Sequence, residues 1–290
     1  MFKEVEEALR ESGFSYCEYD GCFDIAARKG SMLLIKLLTN IDSLQENQAD
    51  SLKVISHSLE AKSILIGLHT RRERLDDNVL YERFDIPAVN PSTFENIVVN
   101  NALPMIYQFR GGRFVEIEPE KLRSAREQKG MSQSDLAARV GITKKSVYEH
   151  ESRRMKMEYG SAMKIEKALK TELILPLEIE NKHADIHLAP KTVFETKISR
   201  TFHNMGFETS SVYHSPFNVI AQEKDMMLLS NVEEKPKAKN ISAIKNFAKV
   251  SKKSAVIVTK EEANFDVPSV TEKQLAGLDK KGIRKLVKRW

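Results

Sequence analysis

Cysteine is almost absent from this chain: Cys17 and Cys22 are the only two among 290 residues. So few thiols, with no further Cys or His at ligand spacing beside them, exclude a disulfide framework and argue against a zinc module; free thiols in a reducing compartment are expected. Long apolar runs are missing as well. No stretch approaches the ~18 to 20 apolar residues that a membrane-spanning helix needs, and the opening MFKEVEEALRESGF is acidic and amphipathic rather than basic followed by apolar. Neither a membrane span nor a secretory leader is expected, and the expected location is the cytoplasm. A dominant charge is lacking too. The 46 Lys and Arg stand against 41 Asp and Glu, a net charge of +5, which suits a polyanionic partner without demanding one.

What is present is enough apolar sequence, 41% of the residues, for two or three separate cores. The most informative stretch lies near the middle. From Glu118 to Gly130, EPEKLRSAREQKG sets Leu122, Ala125 and Arg126 at helical spacing behind Pro119, and Gly130 ends the pattern. Ser132 then offers an N-cap with Asp135 three residues on, ahead of an inward face of Leu136, Ala137 and Val140. Gly141 lets the chain reverse after so short a helix, and Ile142 plugs the corner. Thr143 can cap a third helix, TKKSVYEHES. There Val147 and His150 fall inward, while Lys144, Lys145, Ser146, Tyr148 and Glu149 fall outward. Small Ala137 allows the third helix to cross close over the second. A fourth helix, Tyr159 to Leu169, is expected to close the bundle with Met163, Ile165, Ala168 and Leu169.

This pattern resembles the Xre, or lambda-repressor-like, helix-turn-helix family. The resemblance implies a partner, double-stranded DNA, and roles for particular residues. Gln133 would touch phosphate; Lys144, Lys145, Ser146 and Tyr148 would face the major groove; Arg153 and Arg154 would follow the backbone. With the cap Thr143 and the outward Glu149, these residues make up the candidate DNA-binding set. Two positions depart from the family pattern: His150 stands where a larger apolar residue is usual, and Arg153 where a Gly often ends the helix.

Residues 1 to 112 alternate helix and strand signals. Helices are predicted over Phe2 to Ser12, Leu44 to Leu59 and Pro91 to Val98. Strands are predicted over Phe14 to Tyr19, Cys22 to Arg28, Met32 to Leu38 and Ser63 to Leu68, with Ile86 to Val89 as the last. Within them, FDIAARKGSMLLIKLL carries Asp24 on one strand and Lys36 on the next. This arrangement resembles the PD-(D/E)xK nuclease core and its Holliday-junction-resolvase-like relatives. Positions 34 and 36 share a strand face, yet the second carboxylate such a site requires is replaced by Leu34. Asp24 alone is a poor magnesium ligand set, and nothing places Glu18 or Asp20 to substitute. Asp24 and Lys36 therefore read as a structural ion pair or a remnant, with no metal and no cofactor expected.

After Leu175, PLEIENKHADIHLAPK reads as a linker. Beyond it, residues 191 to about 279 echo the amino-terminal order of elements and read as a shorter second copy. Phe217 answers Phe23, SAVIVTKE from Ser254 answers SILIGLHT from Ser63, and DVPSVTEKQLAGL from Asp266 answers DIPAVNPSTFENI from Asp85. In this alignment Asp24 becomes Asn218 and Lys36 becomes Ser230. The basic tail carries Lys280, Lys281, Arg284, Lys285, Lys288 and Arg289, either phosphate contacts or a solvated face.

The expected fold is therefore α/β plus all-α. A restriction-endonuclease-like mixed-sheet domain spans 1–112, a lambda-repressor-like bundle 113–178, and a degenerate second endonuclease-like domain 185–290. As a whole the chain resembles the archaeal HTH-type transcriptional regulatory proteins. That resemblance implies sequence-specific DNA binding without enzymatic activity. One such reader covers few base pairs, so a homodimer on paired half-sites is expected, with the flanking domains supplying the contact. The rival class is a metal-dependent, structure-selective nuclease using the amino-terminal domain. A small-molecule effector is left open.

Overall fold

The computed structural model describes residues 2–153, 155–181 and 186–288. The chain opens with α1 (Phe2–Glu11), β1 (Ser15–Glu18), β2 (Ile25–Lys29) and β3 (Ser31–Asn40), followed by α2 (Glu46–Leu59) and β4 (Lys62–His69). Then come β5 (Val79–Arg83), β6 (Ile86–Val89) and α3 (Pro91–Val99). β1, β2 and β3 pair antiparallel, whereas β3 with β4 and β4 with β6 pair parallel. The turn from β2 to β3 is tight enough that Lys29 pairs with Ser31, and Gly30 between them takes φ +75°, a conformation only glycine adopts cheaply. Alternation along β3 sends Leu34 to one face of the sheet and Ile35 to the other, each into a different core.

The expectation that Ile86–Val89 is the last strand of this region does not hold. β5, β7 (Ile106–Phe109) and β8 (Gly112–Ile117) follow or flank it. β7 escapes a periodicity reading because it is short and its parallel partner β5 lies well back in the chain, and β8 only follows it across a tight hairpin turn.

The bundle follows as α4 (Pro119–Gln128), α5 (Gln133–Val140), α6 (Lys144–Ser152), β9 (Lys156–Glu158), α7 (Tyr159–Leu169) and β10 (Ile174–Leu175). β9 and β10 both pair with β8. The boundary expected between residues 112 and 113 thus falls inside β8, just past a hairpin turn, and the sheet runs through it. Among the described residues it has ten strands, in the order β1-β2-β3-β4-β6-β5-β7-β8-β10 with β9 also on β8. Val115, Ile117 and Met157 of this sheet join Leu122, Leu136, Val140, Val147 and Ile165 in one core, so the bundle sits on the sheet as part of it. Met163, expected to help close the bundle, is 44% exposed; Ala162 and Ile165 take the inward positions of α7.

The stretch expected to be a linker is partly docked. Leu177 and Ile179 are buried in the core of the first sheet, and the Asn181 side chain accepts from Ser63 N at 3.2 Å while donating to Ala61 O at 3.0 Å. Alternate apolar residues, at 177 and 179, let an otherwise polar strap lie on the sheet.

The rest comprises α8 (Val193–Asn204), β11 (Glu208–Ser211), β12 (Val219–Glu223), β13 (Met226–Val232), α9 (Ala238–Ser251), β14 (Ser254–Thr259), β15 (Ser269–Thr271), α10 (Glu272–Ala276) and α11 (Lys280–Lys288). Its sheet, β11-β12-β13-β14-β15, carries the same succession of pairings as β1-β2-β3-β4-β6: antiparallel, antiparallel, parallel, parallel. One correspondence needs correction. Asp24 N bonds to Ile35 O, and Asn218 N bonds to Ser230 O. Ser230 therefore answers Ile35, and Lys36 is answered by Asn231. The cause is the turn: Glu223 pairs with Met226 across two residues, where Lys29 and Ser31 enclose only Gly30. The extra residue carries through to the next strand: Ala255 opposite Leu229, rather than Ser254, answers Ser63 opposite Leu34.

The two units pack against each other. Phe23, Ala26, Met32 and Leu34 share a core with Phe217, Ile220, Met227, Leu229 and Phe247. Polar contacts cross the same boundary from both sides: Arg28 donates to Ser251 O at 2.8 Å, and Tyr213 N donates to Ser51 Oγ at 2.9 Å.

Candidate nucleic-acid interface

The bundle's geometry follows from local chemistry. Ser132 Oγ accepts from Asp135 N at 3.2 Å, and the Asp135 carboxylate accepts from Ser132 N at 2.8 Å, a reciprocal cap on α5. The Ser132 hydroxyl, then its backbone N–H, hold the Asp135 carboxyl below its usual range. Gly141 ends α5 at φ +77°, and Thr143 Oγ1 caps α6 by accepting from Ser146 N at 3.0 Å. Leu136, Ala137, Val140 and Val147 are buried, so α6 crosses α5 closely over a small side chain.

That crossing fixes which side of α6 faces out. Thr143, Lys144 and Lys145 are exposed, Tyr148 is 58% exposed, and Ser146 and Glu149 are half-buried. Among the described residues, no other part of the chain covers this face. Lys145 Nζ lies 4.0 Å from Glu149, an exposed i,i+4 pair of little energetic weight. Arg153 is exposed in extended backbone, φ −157° and ψ 150°. With Arg153 extended at this position, the helix end needs no left-handed glycine. Arg154 lies outside the described residues, as does Arg289 of the tail.

Gln133 is engaged inside the bundle. Its amide donates to Glu151 Oε2 at 2.8 Å. Glu151 also receives Arg126 in a two-point contact, Nε to Oε1 at 2.6 Å and Nη2 to Oε2 at 3.1 Å, while Arg126 Nη1 donates to Met131 O at 2.6 Å. Both charged residues are only 7% exposed. The hydrogen bond to Glu151 leads in raising the Arg126 pKa. The sequence reading placed Arg126 inward but missed Glu151. The signal was its position four residues after Val147, on the buried stripe.

His150 is buried, with Nδ1 unpartnered among the described residues, and burial lowers its pKa. The neutral ring is thus the folded form. Stability it supports is complete above the unfolded pKa near 6.5 and is lost as pH falls through the lower folded value. Urea midpoints should therefore fall between about pH 7.5 and about pH 5, by more in the parent chain than in His150→Leu.

Asp24 and Lys36 are also brought together, at 2.9 Å, and Asp24 Oδ2 accepts from Leu37 N at 2.6 Å. Lys36 Nζ further donates to Gly21 O at 2.9 Å. Burial raises the Asp24 pKa against these hydrogen bonds. Asn218 repeats the clamp on Val232 N at 2.8 Å, and Asn231 donates to Pro216 O at 3.1 Å. A nuclease of this fold needs clustered oxygen ligands for a hard divalent cation. Here Leu34 is fully buried where the second carboxylate belongs, and among the described residues no group of three or more His, Cys, Asp or Glu side chains gathers to hold an ion, so the residues do not fit the metal.

Among the described residues no helix is long and apolar enough to cross a membrane. A capped helix-turn-helix with an uncovered basic face, carried on a mixed α/β sheet, defines a protein of the helix-turn-helix class. Comparison with known families agrees: residues 122–174 match the helix-turn-helix family, and residues 1–104 match the PD-(D/E)XK superfamily domain. Relatives bearing the name "Putative HTH-type transcriptional regulatory protein" occur in several archaea. The one from Thermococcus kodakarensis is 31% identical over 287 residues, covering 95% of this chain and 90% of the relative. That of Pyrococcus furiosus is 32% identical over 83% of this chain and 79% of its own length. That of Methanothermobacter thermautotrophicus is 31% identical over 94% and 86%. The chain belongs to this family of HTH-type transcriptional regulatory proteins.

Proposed function

We propose that the chain is a sequence-specific, duplex-DNA-binding regulator of transcription that lays α6 in the major groove. The observation that carries this reading is the uncovered outer face of α6, held in place by a buried hydrogen-bonded network. Lys144, Lys145, Ser146 and Tyr148 reach base edges, with Thr143 and Glu149 at the margins. Arg153 and Arg154 follow the phosphates. Gln133 serves them from the start of α5 while its amide stays tied to Glu151.

The flanking units act as scaffold without enzymatic activity, the carboxyl-terminal one being a degenerate copy of the first. Their apolar faces are spent on each other within one chain. A second chain, needed to read paired half-sites, therefore joins through a different surface or on the DNA itself.

Selection of bound sites from randomised duplexes tests the reading. Lys144→Ala with Lys145→Ala should then weaken the selected site by about ten- to a hundredfold, since a good base contact discriminates by ~1–3 kcal/mol, and should narrow its advantage over scrambled duplex. Unchanged discrimination would refute the assignment of α6. Magnesium- or manganese-dependent cutting of branched DNA, abolished by Asp24→Ala, would favour the nuclease class.

A further inference from the structure

A second cationic feature lies outside the helix-turn-helix. The turn after β4 is pinned: Thr70 Oγ1 accepts from Arg72 N and Glu73 N, each at 3.1 Å, and Arg71 N donates to Asp42 Oδ2 at 2.9 Å. The β7–β8 hairpin is a two-residue turn in which Arg110 and Gly111 take φ +48° and +80°, the left-handed pair that matches strand twist. Side chains join the two turns, Gln108 to Glu73 at 3.4 Å and Arg113 to Asp76.

Asp76 is paired with Arg113, while Asp77 and Glu73 are held in place by the side-chain amides of Asn90 at 2.6 Å and Gln108 at 3.4 Å. Arg71, Arg72, Arg74 and Arg110 are exposed and have no ion-pair partner among the described residues. Arg110 is also pre-positioned, its guanidinium 5.0 Å from the Phe109 ring, which stacks on Tyr107 at 5.8 Å. Lys156 of β9 lies over the same Tyr107 at 3.4 Å. A stacked series thus runs from β9 to the hairpin tip. β8, which links that tip to α4, is six residues long, about 17 Å at strand rise and so about half a turn of duplex.

We infer that these arginines form a second binding site on this chain, for the phosphate backbone of duplex DNA flanking the sequence under α6. The inference rests on the duplex-binding reading above and extends it. Rigid turns suit the task because little side-chain and loop ordering is left to be done on binding. Guanidinium forks suit phosphate oxygens, and a backbone contact adds affinity without sequence preference.

The test is a salt titration of binding to a random-sequence duplex and to a duplex bearing the selected site. Each phosphate contact contributes about 0.9 to the slope of log K against log salt. R71A/R72A/R110A should lower that slope by about 2 to 3 and weaken both duplexes at least tenfold and equally, leaving discrimination between them intact. K281A/K285A/K288A, which removes as many charges from α11, should leave the slope unchanged. An unaltered slope in the arginine variant, or an equal loss in the lysine variant, overturns the inference while leaving the function of α6 standing. Absence of salt-dependent duplex binding by the parent chain would sink both.

Discussion

Glu151→Ala should destabilise the helix-turn-helix bundle by about 3–5 kcal/mol, the cost of leaving one member of a buried ion pair uncompensated. Arg126 would then sit in the bundle with only Met131 O and the exposed Glu127 nearby, and Gln133 would lose its acceptor. Because the network joins α4, α5 and α6, the loss should appear as faster amide exchange across all three helices and as loss of duplex binding, with the carboxyl-terminal sheet unaffected. Replacing both partners, Arg126→Leu with Glu151→Leu, should recover most of the stability, since a buried pair exchanged for apolar groups is often neutral. A Glu151→Ala chain as stable as its parent would show the pair to be solvated in solution.

Phe247→Ala should cost about 3–5 kcal/mol, the range for emptying a buried phenylalanine site. Its ring lies 5.3 Å from Phe23 and 5.0 Å from Phe217, the corresponding residues of the two sheet units. One truncation therefore removes packing from both at once. Hydrogen exchange should accelerate together in β2 and β12. Acceleration confined to β12 would mean that the units are stable without each other, and that the shared core contributes little.

The reading elements of the bundle were legible because their causes are local. Ser132 with Asp135, Gly141, and Thr143 with Ser146 each act within three residues, so spacing alone reveals them. Arg126 and Glu151 lie 25 residues apart, and no short-range pattern links them. The strap of Leu177 and Ile179 looked like a linker because its apolar positions gain meaning only against the sheet beneath. The correspondence of Lys36 was misplaced by one residue because apolar runs such as MLLIKLL and MMLLSNV can be slid past each other; only the hydrogen-bond register across the longer turn fixes the match.

Sequence by itself determined the helix-turn-helix, its caps and its outward residues, the missing carboxylate at Leu34 and the presence of two related sheet units. These are written in periodicity and near-neighbour chemistry. Tertiary structure alone decided that the sheet runs on into the bundle, that the two units bury their apolar faces against one another, and that Gln133 is anchored by a buried carboxylate. Those outcomes depend on pairings between residues far apart in the chain, where many partners are chemically possible and only packing selects one.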